Sequence, residues 1–375
     1  MVELFSATYE SLIVLILTAL SCSLLGCLLL LRGLAMIADA LSHAILLGIV
    51  LAFFLVNDLS SPWLIVGAGL FGLFTVYAIE NLSKSKLVKN DEAIGLVYPM
   101  FFALAVILIT VFARNIHLDM DAVLMGEVIM APLNRFNILG ISLPKAMVYN
   151  AILLVLNLLF LLVCFKELKL TSFDPEYAKI AGFSSTLLYY GLMTLTSLTT
   201  VISFDAVGAI LVISFLITPA ASAYLISKDL KRMMEISCMY ALGNCLSGYV
   251  ISILYNVSTS GMTAWISGIS FMLTVLFHQQ GIFTKVMKRY RAKRQHKEHI
   301  LLLHIANHIG KADEATELGL TSVQHHLHWS KSTFDKTTQS LINQDNIYLD
   351  TNKDCYRLTS KGELRLAALK ENDGL

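Results

Sequence analysis

Residues 31–55, LRGLAMIADALSHAILLGIVLAFFL, decide the fold, because this apolar run contains two ionisable side chains well inside its ends. An apolar helix of roughly 20 residues is long enough to cross the hydrocarbon core of a bilayer. Asp39 and His43 are four residues apart, so on a helix they lie on one face, one turn above the other. Ionisable groups at membrane depth are costly and face a protein interior or an aqueous path. The pair is therefore either a structural hydrogen bond or a site for an ion that crosses the membrane.

The composition of the whole chain is that of an integral membrane protein. Of the 375 residues, 56% are hydrophobic and 15% are charged, whereas soluble domains carry about a quarter charged residues. The mean hydropathy is +0.68. The first ten residues are acidic and no small-residue cleavage site follows them, so we expect the first apolar segment to be a retained span. The six cysteines lie mostly in apolar runs without metal-type spacing, which argues against a disulfide framework.

Nine segments are long and apolar enough to span a membrane. Lys and Arg are concentrated in alternate connections between them, and positively charged connections face the cytoplasm. This rule predicts an amino terminus outside the cell and a carboxyl terminus in the cytoplasm. The predicted spans are 11–31, 34–56, 62–80, 94–113, 147–165, 185–203, 206–227, 236–256 and 263–280.

The connection 114–146 is too polar for a tenth span, and Pro132 and Pro144 argue against one continuous helix there. Its apolar residues favour a course along the membrane surface or partly into it. A solvated loop is the favoured interpretation, and a vestibule that collects cations is the alternative. The side chains that suggest a vestibule are His117, Asp119, Asp121 and Glu127.

Residues 172–183, SFDPEYAKIAGF, are predicted to form a short capped helix in the connection between the fifth and sixth spans. An acidic N-cap precedes a proline at the first helical position, and a glycine ends the helix. Glu176, Ala178 and Gly182 match the Glu-x-Ala-x-x-x-Gly pattern, which resembles the coupling helix of importers driven by ATP-binding-cassette subunits. The residues that we expect to contact the ATPase are Phe173, Asp174, Pro175, Glu176, Ala178 and Gly182.

Four motifs in the same order and approximate spacing resemble the metal-ion permeases of ATP-binding-cassette importers. The motifs are 31–55, 91–109, 172–183 and 205–226, and the resemblance covers roughly residues 10–280. It implies an all-α polytopic membrane protein with about nine transmembrane helices. It also implies a location in the cell (inner) membrane of a prokaryote.

The resemblance implies a permease that moves a divalent transition metal into the cytoplasm, with Asp39 and His43 contacting the metal on its path. A carboxylate oxygen and an imidazole nitrogen suit Mn²⁺, Zn²⁺ and Fe²⁺; Mn²⁺ is favoured, and no permanently bound cofactor is expected. The chain has no Gly-rich Lys-Ser/Thr phosphate loop, so it is expected not to be an enzyme. The implied partners are a separate ATPase, a second permease chain of either kind, an extracellular metal-binding protein and membrane lipids.

Two features leave the path incompletely specified. Leu47-Gly48 stands where the family often has Pro-Gly, so the family's gate geometry is not carried over. Asp205 is a residue of the path or outer gate, or equally an interfacial cap, and Pro219 is expected to break the helix that follows. The rival functions are an ATPase-independent metal transporter or channel, a membrane-tethered metal-responsive regulator and, less favoured, an intramembrane protease.

The last part of the chain has the composition of a small soluble domain. We predict a permease domain at 1–283, a basic juxtamembrane linker at 284–297 that anchors at the membrane surface, and a cytoplasmic domain at 298–375. Helices followed by two short strands make this domain winged-helix-like, and residues 355–367 resemble the wing-to-helix end of metal-responsive repressors.

Two roles of the tail stay open besides a protein-contact role, which is favoured. DNA binding is one, because a helix at 330–344 would enter a major groove in such folds; the candidate contacts are Lys331, Lys336 and Arg357. A cytoplasmic metal sensor is the other, and its candidate ligands are His304, His308, His326 and His328.

Overall fold

The computed structural model divides into two compact units, Met1–His278 and Gln279–Leu375. It describes residues 2–58, 61, 63–112, 128–138, 141–278, 281–311, 317–319, 322–350 and 354–373. The four vestibule candidates of the 114–146 connection lie outside the described residues. The finer division of the tail into linker and domain stays a prediction.

The first unit is a bundle of helices. Nine of its described helices are long and apolar enough to cross a membrane, as predicted. Two short helices, α6 and α7, lie between the fifth and sixth of them. The helices are α1 Val2–Leu31, α2 Ala35–Val56, α3 Trp63–Lys84, α4 Asn90–Phe112, α5 Lys145–Val163, α6 Phe165–Phe173, α7 Pro175–Ile180, α8 Ser185–Val207, α9 Ala209–Ile226, α10 Leu230–Tyr255 and α11 Thr259–Phe277.

The described part of the 114–146 connection is short and irregular. A 3₁₀ helix, Val128–Leu133, precedes an antiparallel hairpin of β1 Arg135–Ile138 and β2 Ile141–Pro144. Arg135 donates two hydrogen bonds to the Glu10 carboxylate of α1, at 2.7 and 2.9 Å. These charge-assisted bonds fasten the hairpin to the amino-terminal part of α1.

Helix α1 is the central element of the first unit. It packs against α5, α8, α9 and α10, and it is the most buried of the nine spans. Helix α2 packs against α3 and α4, and α3 packs in turn against α8. The core is therefore continuous from α1 to the helix that carries Asp39 and His43.

The predicted break at Pro219 is wrong. Helix α9 runs through Pro219, whose side chain is buried, and the neighbouring Ser222 hydroxyl donates to the Thr218 carbonyl at 2.9 Å. Membrane helices tolerate proline because hydroxyl groups and neighbouring helices satisfy backbone groups that proline leaves unpaired. The interruption lies instead at Gly208, whose φ of 84° separates α8 from α9.

Helices α2 and α3 approach closely through glycine. A Cβ atom added at Gly48 would lie 2.6 Å from Cβ of Phe71, 2.8 Å from the Gly67 carbonyl oxygen and 2.9 Å from Cα of Ala68. Small residues allow this kind of backbone approach between membrane helices. Gly48 is thus required for packing α2 on α3, whereas Leu47 beside it is simply buried core.

The second unit contains four described helices and one hairpin. Strands β3 and β4 pair antiparallel, with Ile347 opposite Leu358 and Asp350 opposite Cys355, and a bridge joins Gly319 to Cys355. The predicted linker 284–297 is helical and forms part of α12. The elements are α12 Ile282–His308, α13 Ser322–His326, α14 Lys331–Asn343, β3 Ile347–Asp350, β4 Cys355–Leu358 and α15 Ser360–Asp373.

The second unit has its own apolar core and, among its described residues, a buried acid. Leu301, Leu302 and Ile305 of α12 pack with side chains of the other elements. Glu298 is almost fully buried, and its carboxylate accepts hydrogen bonds from Arg365 at 2.9 Å and Ser340 at 2.8 Å. A buried charge is tolerated only when it is paired and hydrogen-bonded, so these contacts fix α12 against α14 and α15.

We expect Gly48→Ala to lower the stability of the first unit by about 1–3 kcal/mol, because the added methyl group overpacks the α2–α3 contact. Gly243→Ala in α10 is the control, since nothing lies within 4 Å of its added Cβ. Thermal unfolding of both variants in the same detergent measures the effect. Equal midpoints for the two variants would contradict the close packing.

Candidate functional site

Asp39 and His43 lie on one face of α2, as the spacing predicts. The His43 Nε2 atom is 3.8 Å from the Asp39 Oδ1 atom. This separation is longer than a hydrogen bond, so the two groups are neighbours without being locked to each other. The Ser42 hydroxyl does not bridge them, because it donates to the Asp39 main-chain carbonyl at 2.5 Å.

The pair is partly exposed at the surface of the first unit. The His43 side chain retains 33% of its accessible surface and the Asp39 side chain 37%. Both therefore offer oxygen and nitrogen atoms to something outside the chain. In a hydrocarbon environment such exposure would be costly for either group.

Aromatic residues of α4 hold the imidazole. The Tyr98 ring stacks on His43 with centroids 5.6 Å apart, and the Phe102 ring meets it edge-on at 5.5 Å. Two rings at these distances restrict the rotation of His43. Sequence reasoning missed both residues, although Tyr98 and Phe102 lie within the motif 91–109.

Asp205 is exposed near the end of α8, three residues before the Gly208 interruption. No hydrogen bond or ion pair between described residues joins it to Asp39 or His43. The structure does not bring Asp205 together with the pair, and its role as a path residue or an interfacial cap stays a prediction.

The predicted short capped helix is α7, which follows α6 and Asp174. The Asp174 side chain caps α7 by accepting a hydrogen bond from the Tyr177 amide at 2.9 Å. At the other end, Gly182 adopts a φ of 82°, and the Phe183 amide donates to the Ala178 carbonyl at 3.0 Å. This is a Schellman cap, so residues of the segment itself cap both ends of the short helix.

This segment presents an apolar surface, although it is not itself a span. Ala178 is fully buried and holds α7 against the unit, whereas Glu176 and several large apolar side chains point outward. Exposed apolar residues that cluster on one surface indicate a contact with another molecule. The exposed apolar side chains are Phe173, Tyr177, Ile180 and Phe183.

Arg32 joins this segment to the beginning of α2. Its Nε atom donates to the Ser172 hydroxyl at 3.0 Å, and its Nη2 atom donates to the Thr171 hydroxyl at 2.7 Å. Burial lowers the pKa of Arg32 from its ordinary value, yet arginine stays protonated in proteins. Sequence reasoning used Arg32 only for orientation, and nothing in its pattern pointed to this contact.

An ion pair connects α6 to α10. The Lys169 ammonium lies 2.8 Å from the carboxylate of Asp229, the N-cap of α10. Hydrogen bonds, that from Lys169 foremost, lower the pKa of Asp229. The contact is therefore present above the ordinary pKa of an aspartate and is lost as the pH falls through the lowered value.

The candidate residues of the tail fall into two groups. Lys331 and Lys336 are exposed on α14, whereas Arg357 lies beside Asp350 across the hairpin, with Nε 3.4 Å from the carboxylate. Among the histidines, His304, His308 and His326 lie close to one another. No described contact brings the exposed His328 to them.

The chain is similar to known membrane transport proteins. Residues 5–278 match the ABC 3 transport family. The chain is 40% identical to the manganese transport system membrane protein MntD of Bacillus subtilis, over 75% of this chain and 95% of that protein. It is 38% identical to the zinc transport system membrane protein TroD of Treponema pallidum, over 86% of this chain and 88% of that protein.

A solved structure shares the architecture of the first unit. It is PsaBC from Streptococcus pneumoniae in complex with Fab, with a TM-score of 0.62 and 29% sequence identity, covering 75% of this chain and 94% of that chain. The TroD alignment spans 324 residues, which is more than the length of the first unit. That similarity therefore includes part of the second unit.

The nine apolar helices and the family match define a multi-pass membrane permease of the ATP-binding-cassette type rather than an enzyme. The chain belongs to the ABC 3 transport family, whose match covers most of its length.

We expect Arg32→Lys to loosen α6, because an ammonium group lacks the planar fork that reaches both hydroxyls. Losing one charge-assisted hydrogen bond should raise amide exchange at 165–173 by about tenfold, corresponding to ~1.4 kcal/mol. Hydrogen–deuterium exchange of the purified chain measures this. Lys166→Ala, an exposed change on α6, is the control and should leave the exchange unchanged. Equal exchange in Arg32→Lys and wild type would contradict the role given to Arg32.

Proposed function

We propose that this chain is the permease of an importer that moves a divalent transition metal into the cytoplasm. Mn²⁺ is the favoured substrate, and Zn²⁺ and Fe²⁺ are the alternatives. The names of the relatives, which include manganese and zinc transport system membrane proteins, support this substrate class. So does the donor set, because one carboxylate and one imidazole suit borderline divalent ions.

The observation that carries the proposal is the partial exposure of Asp39 and His43 on a membrane-spanning helix. Exposed to lipid, this pair would be unfavourable, so a second permease chain must cover it. A two-fold arrangement would bring two carboxylates and two imidazoles together. The second chain is either another copy of this one or a paralogue.

The Asp39–His43 pair would bind the ion only briefly. Each chain supplies two ligand atoms that are 3.8 Å apart and not hydrogen-bonded to each other, so the ion can bind without first breaking a strong contact. Tyr98 and Phe102 restrict the imidazole, which limits rearrangement as the ion passes. No cofactor is needed for this step, because the metal is the substrate.

The energy for transport is proposed to come from a separate ATPase docked on 173–182. The exposed apolar side chains of α6 and α7 support this contact, and Arg32 gives it a connection to α2. The positive charges flanking this segment support a cytoplasmic position for it and an amino terminus outside. An extracellular metal-binding protein would deliver the ion, and lipids would cover the apolar outer faces of the spans.

The second unit is proposed to be a cytoplasmic winged-helix-like domain that contacts protein. Its helices, followed by the β3–β4 hairpin and a last helix, support the fold. DNA binding is the less favoured role, because Arg357 is engaged with Asp350 and only Lys331 and Lys336 remain as exposed candidates. A membrane-tethered regulator stays secondary, since most of the chain matches a transport family.

We expect Asp39→Asn and His43→Gln each to reduce metal uptake by at least tenfold, because each removes a charge or ligand atom while keeping the side-chain size. Radiolabelled Mn²⁺ uptake by vesicles containing the complete transporter measures this. Ser42→Ala is the control, since its hydroxyl contacts only the Asp39 carbonyl. Wild-type uptake by both variants would contradict the proposal that Asp39 and His43 bind the metal on its path. Unchanged thermal stability alongside lost uptake would exclude a purely structural pair.

We expect Gly182→Val to weaken co-purification of the ATPase subunit at least tenfold, because a β-branched residue is strained at a φ of 82° and disrupts the cap of α7. Gly310→Val is the matched control, with a φ of 73° in the second unit and open space around its Cβ. Pull-down of the ATPase with each variant measures the loss. Full recovery of the ATPase with Gly182→Val would contradict its docking on 173–182.

A further inference from the structure

We propose that His304, His308, Glu317 and His326 form a second metal site, in the unit Gln279–Leu375, that binds Zn²⁺ in preference to Mn²⁺. This site is distinct from the Asp39–His43 pair, which lies in the other unit. It differs from the histidine set suggested by sequence, because Glu317 enters it and His328 does not.

The ligand atoms already lie close together. One ligand atom from each of His304, His308 and Glu317 lies within 4.8 Å of the others. The fourth residue approaches the same carboxylate, with His326 Nδ1 at 3.3 Å from Glu317 Oε2. Ligand atoms around a tetrahedral Zn²⁺ are roughly 3.3 Å apart, given Zn–N lengths of about 2.0–2.1 Å. Small side-chain rotations would therefore close the site.

Three separate elements supply the ligands. His304 and His308 are one turn apart at the end of α12, where their rings lie 4.8 Å apart. Glu317 directly precedes Leu318, which is fully buried in the core of the unit, and Gly319, which bridges to Cys355. His326 is the last residue of α13. The position of Glu317 is thus fixed by the fold around it.

The surroundings suit a metal that exchanges with solvent. The side chains of His304 and Glu317 are mostly covered, at 14% and 21% exposure, whereas that of His326 is 41% exposed. The site therefore has one open side and one packed side. A closed structural zinc site would bury every ligand, so this geometry favours reversible binding.

The donor set determines the preference for zinc. Three imidazoles and one carboxylate match the ligands that Zn²⁺ takes in tetrahedral sites. Mn²⁺ prefers oxygen-rich sites and binds a given nitrogen site more weakly than Zn²⁺. The second site would therefore respond to zinc even where the path carries manganese.

The competing explanation is that hydrogen bonds, without a metal ion, hold the segment 317–319 against α12. His304 Nε2 lies 3.2 Å from the Glu317 main-chain oxygen and 3.8 Å from its carboxylate. These contacts alone would hold the segment 317–319 on α12. Such hydrogen bonding accounts for His304, Glu317 and His326, whose Nδ1 atom also contacts the carboxylate. A metal ion would in addition use His308, whose ligand atom lies within 4.8 Å of those of His304 and Glu317.

The test uses the full chain, purified without a histidine tag, with Asp39→Asn and His43→Gln in every protein so that the path cannot bind metal. Zn²⁺ bound after gel filtration is measured by elemental analysis, and Co²⁺ reports coordination through its visible absorption. We expect one bound Zn²⁺ per chain and an intense absorption band typical of tetrahedral Co²⁺. A tenfold excess of Mn²⁺ should displace less than half of the bound zinc.

His308→Gln and Glu317→Gln are each expected to weaken Zn²⁺ binding at least tenfold and to remove the Co²⁺ band. His325→Gln and His328→Gln are the matched controls, since both are exposed histidines of the same segment outside the cluster. Equal zinc content in all variants, or no zinc in the parent protein, would overturn the site. Because the measurement requires no transport, its failure would leave the proposed import function untouched, and the converse also holds.

Discussion

The free-energy cost of placing an ionisable group in hydrocarbon constrains how the first unit can be arranged in a membrane. Asp39 and His43 retain about a third of their surface on a helix that is otherwise apolar. Only protein or water can cover such groups at membrane depth. In the proposed function, a second permease chain packs over this pair and covers it.

Helix packing around α2 fixes the position of the Asp39–His43 pair and leaves it partly exposed. Gly48 lets α2 lie directly on α3, while Tyr98 and Phe102 of α4 fix the imidazole from the side. Each of these contacts comes from a small or aromatic residue, and Asp39 and His43 stay partly exposed beside them. The site is in this sense a product of helix packing rather than of a dedicated loop.

Much of this arrangement could be predicted from sequence because it depends on local rules. Span number follows from apolar length, and the cap of α7 follows from Asp174, Pro175 and Gly182. The predicted break at Pro219 was wrong, because the effect of a proline on a helix depends on neighbouring side chains that a single sequence does not show. The contacts of Arg32 and Glu317 were missed for the same reason, since their partners are distant in sequence or on separate elements.

The two hydrogen bonds that the Arg32 guanidinium donates connect α6 to the start of α2. Its two hydroxyl partners lie on α6, and the arginine itself lies three residues before α2 begins. Asp39 follows the start of α2 by about one helical turn. A displacement of α6 would therefore act, through Arg32, on the turn of α2 that carries Asp39.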